Sequence, residues 1–86
     1  MGVYFVEKEI GKVTHFFSSI NVAAIELIDT LKIGDKIKIK GATTDFEQTI
    51  DSMQINKKEV PEAKSGEEIG TKIKEKVRAG DIVYKL

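Results

Sequence analysis

Few residues in this chain have side chains suited to chemistry. His15 is the sole histidine, and its ordinary pKa lies near neutrality. Thr14, Ser18 and Ser19 flank it, but neighbours in sequence do not make a triad. On a strand His15 shares a face with Val13 and Phe17, which places it as a histidine packed at the end of a core. Asp45, Glu47 and Asp51 share one parity. Carboxylates so spaced suit acid/base work or a hard cation, or else a solvated strand face opposing lysines across a ladder. Lys36, Lys38 and Lys40 alternate with Ile37 and Ile39. On an extended strand such lysines stand about 6.6–6.8 Å apart, close to a nucleic-acid backbone repeat, so they are candidates for phosphate contact. Lys12 and Arg78 extend the patch. No aromatic interleaves with these lysines, so base stacking is not encoded there, and lysines also serve to guard a sheet edge. His15, Phe16, Thr43, Thr44 and Phe46 are the candidates for docking a protein partner.

Those side chains have a small frame. Eighty-six residues make one domain, 1–86, with a thin core. There is no cysteine, which excludes disulfides and thiolate metal sites, and one histidine excludes most zinc arrangements. Net charge is zero, so the chain has no bulk attraction for nucleic acid or membrane. The start, Met-Gly-Val-Tyr-Phe-Val-Glu, lacks the pattern of a signal peptide. No 18-residue apolar run occurs, so a cytoplasmic protein without a membrane span is expected. No catalytic residue, metal or cofactor is expected, and the protein is expected to be a non-enzymatic monomer.

The elements that must position the candidates read as strands. Val3 to Val6 is a short first strand that carries Tyr4. Ile10 to Phe17 follows, with a bulge or close backbone approach at Gly11. Ile20 to Ile28 is next. Gly34-Asp35 reverses the chain into Asp35 to Lys40. Thr43 to Ile55 slips in parity between Phe46/Ile50 and Met53/Ile55, which one extra residue near Ser52 would repair as a β-bulge. Asn56-Lys57-Lys58 is a turn and Pro61 to Gly66 a loop. Glu67 to Val77 alternates as a strand, despite its helix-favouring Glu and Lys. Arg78-Ala-Gly-Asp81 is a second Gly-Asp turn before Ile82 to Leu86. Single glycines at these turns and bulges, Gly70 among them, serve backbone geometry and form no phosphate cradle. The prediction is an all-β domain, a small closed antiparallel barrel of six or seven strands.

The run Lys32 to Gly41, then Glu62 to Gly70, then Val77 to Val83 resembles domain 2 of elongation factor Tu, a small β-barrel of translation proteins. Gly11-Lys-Val-Thr-His-Phe-Phe17 and Gly41-Ala-Thr-Thr-Asp-Phe-Glu-Gln48, with Asp51-Ser-Met-Gln54, resemble the C-terminal barrel of collagenase-like U-family peptidases and small free-standing elongation-factor-like proteins. No G-x-x-x-x-G-K-[ST] pattern is present, so no GTPase activity is expected. The resemblance implies a non-catalytic binding module contacting tRNA, ribosomal RNA or the translation machinery. The alternative is a protein-interaction module docking in trans on a collagenase-like peptidase-family catalytic subunit.

Overall fold

The computed structural model describes residues 8–86. The strand expected at Val3 to Val6, and Tyr4 with it, lie outside the described residues. Ten strands follow in order: β1 Lys8–Phe17, β2 Val22–Leu27, β3 Leu31–Lys32, β4 Lys36–Lys40, β5 Asp45–Thr49, β6 Gln54–Ile55, β7 Lys58–Glu59, β8 Glu62–Ala63, β9 Glu68–Lys72 and β10 Ile82–Lys85. No helix occurs among the described residues. Of the strand expected over Glu67 to Val77, only Glu68–Lys72 forms, with Ile69 and Thr71, then Ile73 just beyond it, turned into the core. That period of two overrides the helix propensity of the Glu and Lys between them.

Eight strands form one sheet in the order β5-β4-β10-β1-β2-β9-β6-β7, and β3 pairs with β8 in a separate ribbon. Every pairing is antiparallel. The inner face carries Ile10, Val13, Ile25, Leu27, Ile37, Ile39, Ile69 and Val83, all at or near zero exposure. Each such side chain contributes about 1.5–3 kcal/mol on burial.

Among the described residues the expected closed ring is not formed: the hydrogen-bonded order has two ends, β5 and β7. The cause lies at residues 50–53. Ile50 and Met53 are both fully buried, yet residues three apart on a strand face opposite ways. The chain meets this by breaking the strand between β5 and β6, in place of the β-bulge that the sequence predicts near Ser52. It leaves β4 and crosses to β9, where Ser52 O accepts a 2.7 Å bond from Thr71 Oγ1. The seam between β5 and β9 is spanned by a side chain. Gln48 Nε2 donates to Lys72 O and Gln48 Oε1 accepts from Lys74 N, both at 2.9 Å.

The bulge expected at Gly11 is present. Pairing of β1 with β10 skips a residue between Glu9 and Gly11. Gly11 is also a close approach, since a Cβ there would stand 2.7 Å from Glu26 O.

Three corners share one construction. In Lys32-Ile-Gly-Asp35, Asp35 N donates to Lys32 O at 3.1 Å and Asp35 Oδ2 accepts from Lys32 N at 2.9 Å. Arg78-Ala-Gly-Asp81 repeats both bonds, at 3.0 and 2.9 Å. Lys64-Ser-Gly-Glu67 repeats them with a glutamate, at 3.1 and 2.8 Å. The glycine of each has positive φ, +94°, +97° and +91° respectively. Such a conformation is costly for any residue with a Cβ.

Candidate functional site

The lysine stripe stands where the alternation predicts, on the outer face of β4. Its neighbour β5 answers it with carboxylates. Lys40 lies opposite Asp45 and Lys38 opposite Glu47 in register, and Lys36 Nζ lies 3.5 Å from Glu47 Oε1. The solvated face of opposed charges is therefore the arrangement found. Lys12 sits two strands away in the same cross-sheet row, separated from Lys40 by Ile82. Exposed Arg78 occupies its corner, at the loop before β10. These five cations do not make one unopposed surface. Exposed Asp51 lies in the crossing segment, away from the β5 ladder.

The docking candidates divide. Phe46 is buried, at 8% exposure, and Thr44 at 5%. Phe16 is half-buried and packs against the core. Thr43 is exposed in the loop after β4. His15 is also exposed, contrary to the expected packed position. The reason is a second irregularity: pairing of β1 with β2 skips a residue between Val13 and His15. Val13 points inward, and the extra residue at Thr14 reverses every later side chain of the strand. His15 and Phe17 thus turn outward together, with ring centroids 4.4 Å apart and planes tilted by 56°.

The same reversal builds a feature that sequence reasoning missed. Phe17, exposed to 44%, and Ile20, to 57%, form one wall of a groove of about 620 Å³. The sequence pattern places Ile20 in a strand. It lies in the turn after β1, where Ile20 N donates to Phe17 O and Asn21 takes φ +53°. Val22 and Ala24 of β2 and Gly70 of β9 make the floor, and the β6–β7 hairpin, with Ile55, Asn56 and Lys57, makes the far wall. Ala24 stands opposite Gly70, and Gly70 opposite Gln54. Gly70 has no positive φ, and a Cβ there would make only an ordinary 3.5 Å contact with Val22. Backbone geometry therefore does not require this glycine, which corrects the expectation for it. Its missing side chain leaves the floor open.

Carboxylates gather at the other end of the groove. Glu67 and Glu68 line it, and Glu26 stands directly opposite Glu68 across the ladder. Thr14 Oγ1 donates to Glu68 Oε2 at 2.8 Å. Elsewhere, Asp29 is held below the ordinary carboxylate value by Lys8, whose ammonium bonds it, and by the Thr30 N–H. Among the described residues no three His, Asp or Glu side chains converge to hold a metal ion. Among the described residues no helix is long and apolar enough to cross a membrane.

No family model matches this chain. Over 79 residues it is 52% identical to an uncharacterised protease of Methanocaldococcus jannaschii, covering 91% of this chain and 19% of that protein. A collagenase of Porphyromonas gingivalis is 36% identical over 79 residues, covering 90% of this chain and 22% of that protein. This chain is homologous to one stretch of each of these two longer proteins. It spans about a fifth of the length of the curated relatives it matches. In fold it is similar to the C-terminal domain of a putative U32 peptidase of Geobacillus thermoleovorans. The TM-score is 0.87 at 17% identity, with 91% of this chain and 99% of that domain covered. The resemblance to the C-terminal domain of collagenase-like peptidases is thus supported, that to domain 2 of elongation factor Tu is not, and the fold is similar to that solved C-terminal domain.

Proposed function

We propose that this chain is a non-catalytic docking module that works with a collagenase-like catalytic chain. The observation that carries this reading is the 52% identity to one stretch of a much longer protease. Exposed Phe17 and Ile20 add a physical reason, because large apolar side chains left beside a groove mark interaction sites. Translation machinery is the weaker reading. Its lysine stripe is matched by Glu47 and Asp45, and ammonium groups so paired give little net attraction to phosphate.

The test is calorimetric titration of the full chain into a purified collagenase-like catalytic chain, beside filter binding of tRNA at low salt. A dissociation constant of about 1–10 µM or tighter for the protein is expected. Absence of binding to the catalytic chain, with salt-sensitive retention of tRNA lost on changing Lys36, Lys38 and Lys40 to Glu, would replace this reading with the other.

A further inference from the structure

The groove has two chemically distinct ends joined by a flat middle. Outward-facing residues of β2 run Val22, Ala24, Glu26, and those of β9, antiparallel to it, run Lys72, Gly70, Glu68. Phe17 and Ile20 stand at the Val22 end. Ala24 and Gly70 form a level floor with no side chain larger than a methyl group. At the far end Glu26 and Glu68 face each other, an arrangement that raises the energy of a ladder unless a cation is near. Two cations bear on that end: Lys12 beyond Glu26, and Lys57 on the hairpin wall. Glu67, whose carboxylate accepts from Lys64 N at its corner, lines the same end.

We propose that this groove takes an extended polypeptide segment of a partner, with apolar side chains at its first and third positions and Lys or Arg at its fifth. The proposal rests on the docking reading above and names the chemistry of the docked segment. Val22 and Glu26 are four residues apart on a strand, about 13–14 Å. An extended segment lying along the same direction repeats its side chains every second residue. Its first side chain meets Phe17 and Ile20, its third crosses the open floor at Gly70, and its fifth reaches the carboxylates. Charge complementarity fixes the direction of the segment as well as its composition.

Fluorescence anisotropy with labelled acetyl-Leu-Ser-Val-Ser-Lys-Ser-amide tests this on the full chain, against the peptide bearing Glu in place of Lys. The Lys peptide is expected to bind at least about tenfold more tightly. The double variant Glu26→Gln, Glu68→Gln is expected to abolish that preference, Gly70→Leu to abolish binding of both peptides, and Lys57→Ala to strengthen the Lys peptide. Amide resonance shifts in the unmodified protein guard against misfolded variants, and must fall on Ala24, Glu68 and Gly70. No binding at millimolar peptide, equal binding of the two peptides, or shifts confined to the β4–β5 face would overturn the proposal. No catalytic chain enters this assay. Peptide failure beside retained docking sinks only this inference, and peptide binding without docking sinks only the earlier one.

Discussion

At Gly41 the chain has no room for a methyl group. A Cβ there would lie 2.6 Å from the carboxyl carbon of Asp81, which is itself buried and caps the Arg78–Asp81 corner. Gly41→Ala is expected to destabilise the fold by about 1–3 kcal/mol, the usual range for overpacking, read as a lower urea midpoint with unchanged slope. Gly34→Ala meets no atom but must adopt a positive φ, so a smaller loss of about 1 kcal/mol is expected. Asp29 supplies the residue-scale test of pH. Its folded value lies below the ordinary 3.8. The stability it contributes is therefore present above that value and lost as pH falls through the folded one. Lys8→Ala is expected to raise the Asp29 midpoint toward 3.8 in a carbon-detected titration, since Lys8 is the largest cause of the shift. No movement would sever the two.

Strands are where reading the sequence succeeded and where it stopped. The alternation of Ile37 and Ile39 with lysines located β4, and opposed carboxylates on β5 were legible from parity alone. Gly11 announced its bulge because a glycine inside a strand has few other reasons to be there. Thr14 announced nothing, for threonine is an ordinary strand residue. Its extra position could not be seen, and so His15 and Phe17 were assigned to the wrong face. The third corner was hidden because Glu67 replaces the aspartate of the other two. The slip at residues 50–53 was visible, but a bulge and a break give the same parity change. Gln48 is the element-scale consequence of that break. Gln48→Leu is expected to leave the core intact and speed hydrogen exchange at the Lys74 amide, which Gln48 accepts. Unchanged exchange there would mean that the seam is held by something else.

At the scale of the molecule, the core and the groove use opposite faces of the same strands. Ile25 and Ile69 hold β2 and β9 from within while Ala24 and Gly70 floor the groove outside. Changes on the outer face of β9 should therefore alter binding with little effect on stability. Gly70→Leu is expected to shift the melting temperature by no more than about 4 °C, the effect of roughly 1 kcal/mol in a domain this small. A larger fall would tie the floor to the core.

Pairing of Lys8 with Lys85 has a separate consequence. It sets β1 beside β10, so Lys8 and Lys85 are near neighbours at one end of that pair. A short linker joining them, with the chain reopened between Glu75 and Lys76, would give a circular permutant in which every ladder of the described residues survives. The same adjacency would let the unit be spliced into a loop of an unrelated host without prying that host apart.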